Sequence, residues 1–458
     1  MRLGLRRTRG DRPKRLPRWR DLSHQEKRHY RWWAVLFFVV GVAATVTGVL
    51  ALFSPLGQRA VEMRATMRPP VGTPEFLAAV AGATGAPVRR GGTAELLSNG
   101  REIFPTLLRD LGRARGSIDF MVYIWEPGAA SERVLRVLTE RARAGVEVRV
   151  MLDGMGGMDA PDGDFDALRA AGGRVAVFHP LRFGELTRFH RRNHRRAVVI
   201  DGAVGYTGGA AVGDKWLGNA RNPDQWREDM VRVTGPAAVS LQAAFAQLWS
   251  VTTGEILAGP RFYPPDPPPS PTGEPLTGHV GVLSSPSDES LPLRKLFWLT
   301  FASSRRRLYV TNPYFVPDHA LLGVLEERAR AGVDVRILLP GPTTDAAPVR
   351  WAAQAHYDQL LRAGVRIWEY QPTMLHSKTL SADGVWAVVG SANLDIRSME
   401  LNQENVLGIA DARFASQIER TFLRDLARAR EIRLNSWRRR SWWKKVREDA
   451  AELFDEQL

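Results

Sequence analysis

Leu375–Glu404 reads LHSKTLSADGVWAVVGSANLDIRSMELNQE. His376 is followed two residues on by Lys378, and five further by Asp383. Asp383-Gly384 is a turn signal. The apolar runs on either side, Leu375–Leu380 and Val385–Val389, predict two short buried strands. Residues two apart on a strand project to one face, so His376 and Lys378 are expected side by side. Ser391 and Asn393 repeat that spacing after the second strand. An imidazole, an ammonium, a hydroxyl and an amide then converge on one spot. Such a spot suits a phosphate: the cation and the donors bind its oxygens, and the imidazole attacks phosphorus or moves a proton. Taken alone, a His-x-Lys triplet is more often a solvated strand edge.

A second copy changes that weighing. Glu140–Leu152 reads ERARAGVEVRVML and Glu327–Leu339 reads ERARAGVDVRILL, with ten of thirteen positions identical. AGGRV at Ala171–Val175 answers AGVRI at Ala363–Ile367, and a Pro follows in each half, Pro180 and Pro372. Then comes His-x-[Arg/Lys]-x-x-x-x-Asp again: His194, Arg196 and Asp201, with Asp201-Gly202 as the turn after Ala197–Ile200. This copy sits about ten residues late, through an insertion around Leu181–Asn193 that also holds His190. Gly208-Gly209 stands where Gly390-Ser391 stands in the second half. A duplication that reproduces a polar constellation on buried-looking strands favours function over decoration.

The chain of 458 residues is long enough for two or three domains. It has no Cys, which excludes disulfides, thiolate metal sites and cysteine nucleophiles. No His/Asp/Glu cluster argues for a metal, and no cofactor is expected. The net charge of +15 points to a polyanionic partner, anionic lipid or nucleic acid. Residues 1–31 hold twelve Lys or Arg and read as a basic tail. WWAVLFFVVGVAATVTGVLALF, Trp32–Phe53, has 22 residues without charge and predicts one transmembrane helix, its N-terminus cytoplasmic by the flanking charge. Residues 54–90 read as a linker with a small amphipathic piece. From about residue 91 helical and strand patterns alternate. Helices are predicted over Ala94–Ala114 and Glu132–Ala144, strands over Ser117–Trp125 and Val146–Leu152, in an α/β layer fold with parallel strands. A Pro-rich connector at 258–276 divides the folded part into halves, 91–257 and 277–434. The tail 435–458 contains WRRRSWWKKV, Trp437–Val446, which suits an anionic membrane surface or a helix packed on the second lobe.

The two motifs resemble those of the phospholipase D superfamily. The flanks Thr311–Asp318, Tyr370–His376 and Gly390–Glu404, with Gly208-Gly209 and Val212-Gly213-Asp214, resemble bacterial cardiolipin synthases. The resemblance covers roughly residues 91–440. It implies two α/β/α lobes related by pseudo-two-fold symmetry, each giving one His to a central site. It also implies two-step phosphoryl transfer without metal, with His194 as nucleophile and His376 as acid and base. By the same resemblance Glu228 and Glu404 support the imidazoles, and Arg196, Lys378, Ser391 and Asn393 hold phosphoryl oxygens. Asp201 and Asp383 fix the motif loops, and His190 is a substrate-loop or surface residue. Two departures lie in the first half: Arg196 where the family has Lys, a planar fork for a point charge, and Ala211 where it often has Asn. The expected activity is membrane-bound condensation of two phosphatidylglycerol molecules to cardiolipin and glycerol. The alternatives are phospholipid hydrolysis, a nuclease, which the membrane segment disfavours, and a non-catalytic lipid- or nucleic-acid-binding protein.

Overall fold

A computed structural model describes residues 62–441 except 161, 181–190, 266–275 and 287–289, together with a few positions between 23 and 41. The chain divides into two compact units, Met1–Val61 and Glu62–Leu458. The predicted membrane span at 32–53 lies outside the described residues except for Trp32, Trp33, Phe37, Phe38, Val40 and Gly41, which are helical. Among the described residues no helix is long and apolar enough to cross a membrane.

The larger unit contains two sheets. The first half supplies β2 (Ala94–Ser98), β3 (Ser117–Val122), β4 (Glu147–Asp153), β5 (Arg174–Phe178), β6 (Ala197–Ile200), β7 (Val204–Gly208) and β8 (Asp229–Thr234), in the order β2-β8-β7-β6-β3-β4-β5. The second half supplies β9 (Gly278–Ser284), β10 (Arg307–Thr311), β12 (Asp334–Pro340), β13 (Arg366–Tyr370), β14 (Thr379–Ala382), β15 (Trp386–Gly390), β17 (Glu404–Ala410) and β18 (Ala429–Ile432). Their order is β9-β17-β15-β14-β10-β12-β13-β18, with β1 (Val88–Arg89) added outside β9. Two short strands, β11 (Phe315–Val316) and β16 (Leu394–Asp395), pair apart from both sheets. The two halves thus repeat one topology, as the duplicated sequence requires.

Only part of each sheet is parallel. β3, β4 and β5 run parallel, as do β10, β12 and β13, because helices connect them. The remaining neighbours in each sheet are antiparallel, since Asp201-Gly202 and Asp383-Gly384 join β6 to β7 and β14 to β15 as tight hairpins. The expectation of a parallel sheet is corrected to a mixed one. The helix predicted over Ala94–Ala114 is also split. Ala94–Ser98 pairs with β8 as an edge strand, and the helix runs Gly100–Gly112. Sheet pairing overrides the helical pattern there. Residues 71–89, expected within the linker, carry the helix Pro74–Thr84, capped by the Thr73 hydroxyl on the Phe76 N–H. It buries Phe76, Leu77 and Val80 in the second lobe's core, Phe76 against Trp386.

The lobes meet through one shared apolar core. Val199, Val231 and Val233 of the first sheet, Val389, Leu407 and Ile409 of the second, and Leu241, Phe245, Phe414 and Ile418 from the helices Pro236–Thr253 and Ala412–Leu426 lie in it together. The entrances to β6 and β14 are thereby brought to the line where the lobes join.

Candidate active site

His194 and His376 do not lie on regular strands. Both sit in extended segments just before β6 and β14. Each segment runs beside the chain leading to the other lobe's β-strand. The His194 N–H donates to the Gln403 carbonyl at 3.0 Å and the Gln403 N–H to that of Arg192 at 2.8 Å. In the same way the His376 N–H donates to the Arg227 carbonyl at 2.8 Å and the Arg227 N–H to that of Met374 at 2.8 Å. Glu404 and Glu228 come one residue after Gln403 and Arg227. The carboxylates are therefore delivered across the lobe boundary. His194 Nδ1 lies 2.7 Å from Glu404 Oε1, and His376 Nδ1 lies 2.6 Å from Glu228 Oε2. All four side chains are buried.

The two pairs are built differently. Glu404 accepts hydrogen bonds from the hydroxyls of Ser391 and Ser398, the latter at 2.9 Å. Burial works against this carboxylate, yet His194 and Ser391 hold it below the usual range. Glu228 has Gly209 where Glu404 has Ser391. A Cβ at Gly209 would fall 2.5 Å from the Glu228 oxygens, so no hydroxyl fits. Burial raises Glu228 to about 8, although Lys378 opposes it. Burial, reinforced by Arg196, brings His194 down to about 4, and burial with Lys378 pushes His376 well below its ordinary value. Burial also lowers Lys378 to about 7.

Both motif cations reach the centre. Lys378 Nζ is 3.2 Å from His376 Nε2 and donates to the His376 carbonyl at 2.9 Å. Arg196 is buried, and its Nη1 donates to the His194 carbonyl at 2.9 Å. Its Nε and Nη2 have no hydrogen-bonding partner among the described residues, and neither has Asn393 Oδ1. Buried guanidinium donors left unpaired are costly, and an anion between the two imidazoles would satisfy them. Ser391 faces Glu404, so in this structure it braces the carboxylate. Ala211 occupies the place of Asn393 and packs into the first lobe's core.

Asp201 and Asp383 are turned away from the centre. Asp201 accepts from the backbone N–H groups of Arg115, Gly116 and Ser117, and Asp383 from those of Arg305, Arg306 and Arg307. Both have positive φ, 54° and 55°, and a Gly of positive φ follows each. Asp-Gly is suited to two successive positive-φ residues, and here they open three-residue hairpin loops, 201–203 and 383–385. His190 lies outside the described residues.

Aromatic groups that the motif spacing does not reveal complete the cleft. Tyr123 packs edge-on against His194, ring centres 5.0 Å apart, and Tyr314 against His376 at 6.3 Å. Trp226 lies 5.2 Å from His376. Each follows a strand end or precedes a motif Glu, and only that placement could have marked it.

The fold and the paired His–Glu centre define a phospholipase D-like protein of two fused lobes. A family model described as cardiolipin synthase, PLD-like domain, matches residues 107–249 and 299–426. A cardiolipin synthase of Geobacillus kaustophilus is 33% identical over 368 residues, 80% of this chain and 72% of its own length. One of Staphylococcus aureus (strain Mu50 / ATCC 700699) is 34% identical over 363 residues, 78% of this chain and 72% of its own. The chain belongs to the cardiolipin synthase family. In fold it is also similar to the crystal structure of phosphatidylserine synthase from Haemophilus influenzae, with a TM-score of 0.63 at 14% identity over 84% of this chain and 100% of that one.

Proposed function

We propose that the protein is a membrane-bound cardiolipin synthase, transferring a phosphatidyl group from one phosphatidylglycerol to the free hydroxyl of another. The crossed pairs His194–Glu404 and His376–Glu228 carry this reading, because they set two imidazoles of different surroundings at one buried centre. In it, His194 Nε2 attacks phosphorus and the bond to the headgroup oxygen breaks. His376 gives its proton to the departing glycerol. The second phosphatidylglycerol then delivers its hydroxyl proton to His376 while its oxygen attacks phosphorus, and the phosphorus–nitrogen bond to His194 breaks. Glu404, held anionic by Ser391 and Ser398, keeps the Nδ1–H of His194 in place and its Nε2 lone pair exposed. Arg196, Lys378 and Asn393 hold the phosphoryl oxygens as charge builds on them. A phosphodiester anion favours protonation of Lys378 and His376, against the burial that lowers both. The apolar run 32–53 and the basic Trp-rich tail support attachment to an anionic bilayer, with the catalytic lobes at 91–257 and 277–434.

The test is mass spectrometry of lipids after incubating the purified full chain with phosphatidylglycerol in detergent micelles. Cardiolipin and glycerol are expected, and both disappear in His194→Ala and His376→Ala. Phosphatidic acid alone would make the protein a hydrolase, and no turnover would refute the reading.

A further inference from the structure

The pseudo-two-fold repeat shows which groups are peculiar to one side of the cleft. Trp125 bridges to Val212 as Phe315 pairs with Leu394, so Glu126 corresponds to Val316 and Lys215 to Arg397. Glu126 is therefore an acid where the second lobe has an apolar side chain. Lys215 Nζ donates to Glu126 Oε1 at 2.6 Å, and both side chains are partly open to solvent, at 26% and 30%. The ammonium stands 4.6 Å from the Trp226 ring centre and 4.8 Å from that of Trp216. Those rings lie 5.2 and 5.9 Å from the His376 ring. Lys215 is thus one indole away from His376, on the rim of the cleft.

In-line displacement gives that position a meaning. An alcohol that leaves from, or attacks, phosphorus opposite His194 must lie at His376. Whatever the alcohol carries projects past His376 toward the rim. For a phosphatidylglycerol acceptor, it carries a second phosphate, one glycerol away from the reacting oxygen. An ammonium has three N–H donors, and Glu126 is its hydrogen-bonding partner among the described residues, so donors remain for a phosphate.

We propose that Lys215, held by Glu126 against Trp226, binds the phosphate of the incoming phosphatidylglycerol and so directs the phosphatidyl group to a lipid alcohol rather than to water or a simple alcohol. The inference rests on the cardiolipin synthase reading and deepens it. Arg196 and Lys378 serve the phosphate being transferred, and Lys215 serves the one that is not.

The experiment supplies phosphatidylglycerol micelles with ethanol as a competing acceptor and measures cardiolipin, phosphatidylethanol and phosphatidic acid together. In Lys215→Met the ratio of cardiolipin to phosphatidylethanol falls by between about tenfold and a hundredfold, the range of one hydrogen bond to a charged group. Lys215→Arg keeps most of the wild-type ratio. Should Lys215→Met fail to melt cooperatively, Glu126→Gln, which releases the ammonium from its place, is read for a smaller fall in the same direction. An unchanged ratio overturns the inference. A parallel loss of all three products also overturns it, since Lys215 would then act through His376 or the fold. Wild-type protein that forms phosphatidylethanol but no cardiolipin removes the underlying reading, and the inference with it.

Discussion

At the scale of single residues, the function of each carboxylate follows from what else touches it. Glu404 has two hydroxyls and an imidazole around it, whereas Glu228 has an imidazole and the Asp229 N–H. Glu404→Gln keeps the shape but removes the charge that orients His194. Its turnover is expected to fall by at least about a hundredfold, with the substrate KM less affected. Ser391→Ala leaves the His194–Glu404 contact in place and is expected to cost less, about tenfold in kcat. Steady-state kinetics on phosphatidylglycerol separates the two. A third residue, outside the centre, reports chiefly on burial. His279 on β9 is fully buried, and burial lowers it to about 4. Its folded value lies below its unfolded one, so the unfolded chain binds the extra proton. The stabilisation is complete above about pH 6.5 and is lost as pH falls toward 4. Denaturation of His279→Leu beside wild type should show the difference moving in the variant's favour over that interval, by up to about 3 kcal/mol.

At the scale of elements, the unit that matters is the motif hairpin. His376 and Lys378 were expected on a strand, but regular pairing begins at Thr379. Freed from the ladder, the segment 374–378 can pair with the other lobe instead. The hairpin is anchored at its far end by Asp383, which gathers the N–H groups of three successive residues at the start of β10. The same device recurs at Asp201. Asp383→Ala would strand these donors and remove the local turn support, at a cost of about 2–4 kcal/mol. Urea denaturation checks this, and Asp383→Asn, which retains one acceptor oxygen, should recover part of the loss.

At the scale of the whole molecule, each imidazole is completed by the opposite lobe, and buried ion pairs hold that arrangement. Arg227 joins Asp229 of its own lobe to Asp425 of the other, at 2.8 Å each, with all three buried. Arg227→Met would leave two carboxylates buried beside each other. It should destabilise the protein by about 3–5 kcal/mol and lower activity, because the Arg227 side chain, donating to the Glu228 carbonyl and the Ser377 hydroxyl, steadies the backbone that pairs with His376. Thermal melting and turnover, measured together, test both parts. The duplication, the two motifs, their Asp-Gly turns and the identity of the motif cations were legible in the sequence, since repeats and turn chemistry are local. The strand at Ala94–Ser98 and the helix Pro74–Thr84 docked on the second lobe were not, because each depends on a partner far along the chain. The same division holds in the site. The sequence by itself determined which side chains were candidates for the centre. Only the tertiary structure decided that Glu404 serves His194 and Glu228 serves His376, and that Ser391 braces a carboxylate, because those contacts are made across the boundary between lobes or by a hydroxyl whose direction spacing does not encode.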